Sequence, residues 1–406
     1  MSVKSILCIA TLCIISISCS AKLPTEDRTV ITWWQFWAEP YQKPIVRELI
    51  NEFEELHPRI KIEMTELTWS GGHDKIVASF ASGRAPDMLE LGSDWIYEFA
   101  SRDVLADVSS EATKIKDGFL GWESCQDDSQ TFGFPWMLGS RVIFYNKQLV
   151  ANDSIHTWDE LLAAVKKAHN PDHDIYGFGN TKKEPHQLYK KILPFFWSNG
   201  GDVLSPDKKT SVINSKENIE ALEYYLKLCE YGLLESQKNL DDKFAQGHIG
   251  FVFSGGWLIK KIADQNPGLN YGAIMFPQSK KDQRSFSFFG GEYLVINKQS
   301  TKKDSAVEFI RFLMKKENAL KLCDVSKVTL PASKVLDNDS YYEGKPIEKI
   351  LFEQLQTSRP SPIHSHWIKI ETVIEDEIEY AIYKKKTAKQ ALDDAHKRLQ
   401  LILSTP

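Results

Sequence analysis

The chain has 406 residues, enough for two domains of ordinary size and too many for one simple core. Hydrophobic residues at 42% and charged residues at 26% sit near globular averages, which excludes a disordered chain and a membrane bundle. The formal net charge is -5, and the runs Lys302-Lys303 and Lys384 to Lys386 are isolated, so there is no basic footprint for a nucleic-acid partner.

In chain order, the first feature is an apolar stretch, Ile6 to Ile17, behind a single Lys4. It is too short to cross a bilayer as a helix and reads as an export signal over residues 1–18. Ile17-Ser18-Cys19 resembles the end of a bacterial lipoprotein signal, in which the cysteine becomes the first mature residue and carries lipid. Ordinary cleavage with a soluble product is the alternative. Residues 19–28 are polar and read as an anchor and tether. The cysteines beyond the leader, Cys125, Cys229 and Cys323, allow at most one disulfide, and no Cys-x-x-Cys pair offers a metal or redox site.

Thr29 to Trp34 reads as a strand, and Pro44 to Leu56 as a helix with Ile45, Leu49, Phe53 and Leu56 on one face, stopped by His57-Pro58. Lys61 to Thr65 alternates as a second strand, Gly72 to Ser82 reads as a helix, and Asp87 to Leu91 as a third strand. This rhythm predicts a mainly parallel sheet, with the strand C-terminal loops Gln35 to Pro40 and Gly92 to Trp95 available for binding. Arg141 to Tyr145 is a further strand. Thr157 followed by Glu160 is a capping-box start, which opens a second lobe with helices at Ile219 to Tyr231 and Leu240 to Gln246. The glycine pairs Gly200-Gly201 and Gly255-Gly256 read as loops in that lobe. Gly290-Gly291 precedes a strand, Tyr293 to Asn297, and a helix, Lys303 to Lys315, with which the chain returns to its first lobe. After Leu330-Pro331 and the proline-broken Arg359 to Pro362, two helices, Trp367 to Lys384 and Thr387 to Leu403, close the chain.

An ordered series of short motifs runs through these elements. It comprises Phe53-Glu54-Glu55-Leu56-His57-Pro58, Ala81-Ser82-Gly83-Arg84-Ala85-Pro86-Asp87, Gly133-Phe134-Pro135, Tyr145-Asn146-Lys147 and Trp158-Asp159-Glu160-Leu161. It continues with Ser198-Asn199-Gly200-Gly201, Phe244-Ala245-Gln246-Gly247, Gly256-Trp257, Gly290-Gly291 and Ala306 to Ile310. Together they resemble the family 1 extracellular solute-binding proteins, the sugar-binding components of ATP-driven importers. The resemblance implies an α/β fold of the two-lobed periplasmic-binding-protein type (type II), each lobe a mainly parallel sheet flanked by helices. Lobe 1 is expected over 29–138 plus 291–330 and lobe 2 over 139–290 plus 331–406. Hinge crossings fall near Met137 to Arg141, Gly290-Gly291 and Leu330 to Ser333, where glycine absorbs backbone rotation. It also implies a monomer that needs no cofactor, binds a carbohydrate, and works with an ABC permease and ATPase on other chains, held to the membrane through Cys19.

A sugar site needs aromatic faces for C-H patches and polar side chains for hydroxyls. Trp37 with Gln35 and Glu39 follows the first strand, Ser93, Asp94 and Trp95 follow the third, and Trp136 and Arg141 sit at the first crossing. Trp257 stands beside a glycine pair whose small residues admit a ligand to the backbone, Gly291 and Glu292 lie at the second crossing, and Arg359 and Trp367 flank the late proline stretch. These positions match binding loops of the resembling family. Burial in the core is the alternative for the tryptophans, helix capping for Asp94 and a surface ion pair for Arg359. Trp33 and Trp34 belong to the strand, and Trp158 to a helix start.

Three rival readings remain. An exported glycoside hydrolase would also want tryptophans and paired carboxylates. A sensor would present the same cleft to a receptor. A polyol phosphate such as glycerol phosphate could pair with Arg141, Arg284 or Arg359. No Gly-x-Ser-x-Gly turn, His-Glu-x-x-His helix or phosphate-binding Gly-x-x-x-x-Gly-Lys loop occurs, and His364-Ser365-His366 lacks further metal ligands.

Overall fold

The computed structural model describes residues 28–404 apart from 70, 128, 151–153, 327–329 and 335–339, so the export leader, Cys19 and nearly all of the tether lie outside the described residues. The alternating runs after residue 28 form a parallel unit of β1 (Thr29–Gln35), α1 (Lys43–Leu56), β2 (Ile60–Glu66), α2 (Gly72–Ala81) and β3 (Met88–Gly92). β1 lies between β2 and β3 and parallel to both, so all three strands end on one edge of the sheet. α1 lays Val46, Leu49, Ile50 and Phe53 onto that sheet, a stripe that keeps the expected Leu49 and Phe53 but leaves Ile45 half-buried and Leu56 exposed. Two short helices, α3 (Ile96–Ser101) and α4 (Ser109–Thr113), lead to β4 (Phe134–Ser140).

Only Arg141 separates β4 from β5 (Val142–Asn146), yet the two strands belong to different sheets. The second sheet has the order β7-β6-β8-β5-β9. Its region contains α5 (Trp158–Ala168), β6 (Tyr176–Thr181), α6 (Leu188–Ser198), α7 (Lys216–Cys229), β7 (Gly232–Glu235), α8 (Gln237–Ala245), β8 (Ile249–Ser254), α9 (Trp257–Gln265) and β9 (Tyr271–Ile274). The chain comes back through β10 (Ser287–Ile296), α10 (Lys303–Leu313), α11 (Lys316–Ser326) and β11 (Leu330–Pro331). It finishes with α12 (Pro346–Leu355), β12 (Ser358–Arg359), α13 (Trp367–Ile382) and α14 (Ala388–Leu403). The first sheet reads β11-β4-β10-β3-β1-β2, with β12 added alongside β10.

Each sheet is parallel in one part and antiparallel in the other. β10 runs antiparallel to β3 and β4, and β5 antiparallel to β8 and β9, because these strands bring the chain across from the other lobe. Each lobe has its own core. Phe289 packs with Trp33 and Trp136, whereas its neighbour Phe288 packs with Tyr189 and Trp197.

Gly290 and Gly291, expected ahead of a strand, lie inside β10. Gly291 is there for space, since a Cβ on it would stand 2.6 Å from Leu138 Cδ2 and 2.8 Å from Met137 O. Thr157 and Thr387 both close capping boxes, at α5 and α14. Each is worth about 1 kcal/mol to its helix. Cys125, Cys229 and Cys323 form no disulfide with one another. Among the described residues no helix is long and apolar enough to cross a membrane.

Candidate functional site

The wall contributed by the first sheet is built at the shared C-terminal edge of β1, β2 and β3. Gln35, at the end of β1, is fully buried; its Oε1 accepts the Trp37 amide and its Nε2 lies 3.3 Å from Met64 Sδ. It therefore clamps the loop, in place of the ligand contact expected from the sequence. The Phe36 amide donates to Glu90 Oε2 at 2.9 Å, a second clamp.

Strand register puts Glu90 opposite Leu294 and Gly92 opposite Glu292, so the two glutamates are diagonal neighbours on one face. Burial raises both carboxyls, Glu292 to about 8, and Glu292 pushes Glu90 up further. At neutral pH this pair does not carry two charges.

Above these carboxyls the aromatic side chains gather. Phe36 stacks on Trp69 at 4.2 Å, Trp69 meets Trp95 at 5.5 Å, and Trp37 meets Trp136 at 5.6 Å. Trp37 and Trp95 are almost fully buried, whereas Trp69 is 49% exposed and presents the free ring of the group. Trp69 lies outside the loops expected from the sequence to bind. The signal was available, since Trp69 follows β2 and a third parallel strand must end on the same edge as its neighbours.

Trp136 is a correction: it is the extra residue of a β-bulge opposite Glu292 and Tyr293, lies in the core, and donates its indole N-H to Leu313 O. Ser93 and Gly291 satisfy one another through Ser93 N-H to Gly291 O (2.9 Å) and Gly291 N-H to Ser93 Oγ (3.3 Å). Glu39 is exposed, in a loop whose Tyr41 ring lies 4.7 Å from Lys260 Nζ of α9.

The opposite wall belongs to the second lobe. Trp257 begins α9 and donates its indole N-H to Asp241 Oδ2 at 2.8 Å. A Cβ at Gly255 would fall 2.1 Å from the Trp257 ring. The glycine thus makes room for tryptophan, where the sequence reading made room for ligand. The Arg141 guanidinium lies 5.2 Å from the ring centroids of both Trp257 and Phe288. Desolvation brings its pKa down to about 10.

α6, absent from the sequence reading, supplies Tyr189, Lys190 and Lys191. Lys191 is buried and donates to Phe253 O at 2.7 Å, and burial together with Arg141 lowers its pKa well below the usual lysine range. Trp367 is a second correction: it lies in the lobe core, edge-on to Tyr189 at 5.7 Å.

The two walls meet at Asp94. Its Oδ2 accepts from Lys190 Nζ at 3.1 Å and from Tyr189 OH at 3.3 Å. Burial works to raise the Asp94 carboxyl, but Lys190 and the hydrogen bonds prevail and hold it below the usual range. His73, bonded to Glu98 at 2.7 Å, faces His186 with ring centroids 6.5 Å apart, and His186 is bonded to Glu371. Arg359 lies to one side, stacked 3.9 Å from the Phe286 ring and 3.7 Å from Asp202, at a cavity of about 690 Å³ lined also by Trp197 and Pro360.

The structure thus brings together Ser93, Asp94, Arg141, Trp257, Gly291 and Glu292 and adds Tyr189, Lys190, Phe288 and Trp69. Gln35, Trp37, Trp95, Trp136 and Trp367 are buried within their lobes, Glu39 is exposed, and Arg359 lines a separate cavity.

A model of bacterial extracellular solute-binding proteins matches residues 48–347. A galactooligosaccharide-binding protein of Bacillus subtilis is 23% identical over 93% of this chain and 90% of its own. A maltooligosaccharide ABC transporter solute-binding lipoprotein of Streptococcus pneumoniae is 22% identical, covering 87% and 84%. Among solved structures, an ABC substrate-binding protein of Listeria monocytogenes in complex with cycloalternan superposes with a TM-score of 0.78 at 24% identity, over 94% of this chain and 100% of that one.

Proposed function

Since the chain belongs to the bacterial extracellular solute-binding proteins, we propose that it binds an oligosaccharide between its two lobes and hands it to an ABC importer. The observation that carries this reading is the meeting of the two walls at Asp94, Lys190 and Tyr189, with the Trp69, Trp257 and Phe288 rings beside them. Flat rings suit the C-H faces of sugars, and the polar groups between them suit hydroxyls. The ligands named for the Bacillus and Streptococcus relatives, both oligosaccharides, support the same class.

The moving bodies are residues 29–138 plus 291–330 and residues 139–290 plus 331–406. A ligand touching both shifts an existing open–closed equilibrium toward the closed form. The ligand contacts assigned to it are Trp69, Ser93, Asp94, Arg141, Lys190, Trp257, Gly291 and Glu292.

Binding occurs here without turnover. Glu90 and Glu292 stand side by side on one wall, with Glu90 holding the Phe36 amide, which supports a platform role over attack on a glycosidic bond. A permease and an ATPase on other chains complete the importer, and a lipid on Cys19 holds the protein beside them.

The test is a thermal-shift screen of mono- and oligosaccharides against the processed protein, with product analysis of each mixture. A bound sugar raises the melting temperature. If no carbohydrate shifts it, the reading fails; if a sugar is cleaved, the non-catalytic part fails. Mass spectrometry of the processed N-terminus tests the lipid.

A further inference from the structure

Arg141 is the single residue between β4 and β5, and it carries a charge that the protein leaves unpaired. It is 8% exposed, its Nε is shielded without a hydrogen-bond partner, and its guanidinium makes no ion pair with any described residue. Two aromatic faces, Trp257 and Phe288, hold the guanidinium in place. Lys190 Nζ lies 5.8 Å from the same Phe288 ring, and Lys191 follows it in the chain.

The carboxylates that act on Arg141 are Asp94 and Asp241. Asp241 already accepts from Gln237, Ser254 and Trp257. Asp94 already accepts from Lys190 and Tyr189. Both carboxylates are thus committed to other donors, and Arg141 is left without an ion-pair partner among the described residues.

Ring contacts recover only part of the cost of burying a cation. A guanidinium fork held rigid between two rings suits the two oxygens of a carboxylate, a geometry that a hydroxyl cannot fill as completely. We propose that Arg141 anchors an acidic group on the ligand, so that the bound oligosaccharide contains a hexuronate; this rests on the carbohydrate reading above and narrows it.

The test compares acidic oligosaccharides of galacturonate, glucuronate and mannuronate with the same molecules after their carboxyl groups are reduced to neutral hydroxymethyl groups. Calorimetric titration of the processed protein is expected to show at least one acid bound ten-fold or more tighter than its reduced partner. In Arg141→Gln that ratio falls toward one, while the melting temperature of the ligand-free protein holds or rises, since an unpaired buried cation is removed. Arg141→Lys keeps the charge without the fork and gives an intermediate ratio.

The inference is overturned if every sugar that binds is bound as tightly in the reduced form, or if Arg141→Gln keeps the wild-type ratio. Tight binding of neutral sugars alone would sink this inference and leave the carbohydrate reading intact. Failure of every sugar, acidic or neutral, would sink both.

Discussion

The two walls of the cleft solve opposite problems. On the first, the polar groups are spent on the protein itself: Gln35 and Glu90 hold the loop after β1, and Ser93 and Gly291 hold each other. What that wall offers outward is mainly a stack of rings ending in Trp69. On the second wall the ring of Trp257 is fixed by Asp241, and the charge beside it is not neutralised. The first wall commits most of its polar groups to its own loops, while the second leaves the Arg141 charge without an ion-pair partner among the described residues.

The largest expected effect comes from removing the second wall's ring. Trp257→Ala strips one face from Arg141 and leaves Asp241 Oδ2 without its donor; affinity for the bound sugar should fall about 100-fold, as at binding hot spots, measured by calorimetry. An unchanged affinity would break the contrast between the walls.

The next effect belongs to the first wall and to pH. Glu90 and Glu292 have raised carboxyls, so the folded protein holds a proton that the unfolded chain has released. Their stabilising contribution is fully present below the ordinary carboxylate range and is lost as pH rises toward about 8, the value for Glu292. One proton of difference corresponds to about 1.4 kcal/mol per pH unit. Melting temperature should therefore decline between pH 5 and 8, and Glu292→Gln should flatten that decline.

A smaller effect is expected where the walls touch. Asp94→Asn weakens the link to Lys190 and should move the ligand-free protein toward the open form by about 1 kcal/mol, seen as a larger radius of gyration in small-angle scattering. The smallest is Trp69→Ala, which should cost about five-fold in affinity with little change in melting temperature, because half of that ring is already in water.

Much of the fold was legible because it is written in local signals. The capping box at Thr157, the strand–helix rhythm to Gly92 and, in α1, the buried Leu49 and Phe53 all follow from spacing within one turn or one pleat, while Leu56, read onto the same face of α1, is exposed because it closes the helix. The site was less legible. A tryptophan near a chain crossing or a helix start looks the same whether it faces a cleft or a core, and Trp136 in β4 and Trp367 at the start of α13 went to the core. α6 was hidden because Pro194 lies within it and Gly200-Gly201 follows, two signals of a loop. Burial on nearly all sides overrides them, and with the helix went Tyr189 and Lys190. Position in a sheet decides the rest: Trp69 could be placed only by asking where β2 ends relative to β1 and β3.

β10 is one uninterrupted strand whose first residues pair with β12 and whose later ones pair with β4 and β3. A swing of one lobe against the other would twist this ladder as a torsion bar, with the bulge at Trp136 as the break in its register. The resistance then comes from many backbone hydrogen bonds strained slightly and together, which gives a springlike return where a slack joint would drift. Amide exchange along Phe289 to Leu294 should accordingly stay slow whether the lobes are apart or together, so the turning of the protein leaves no exposed backbone at its axis.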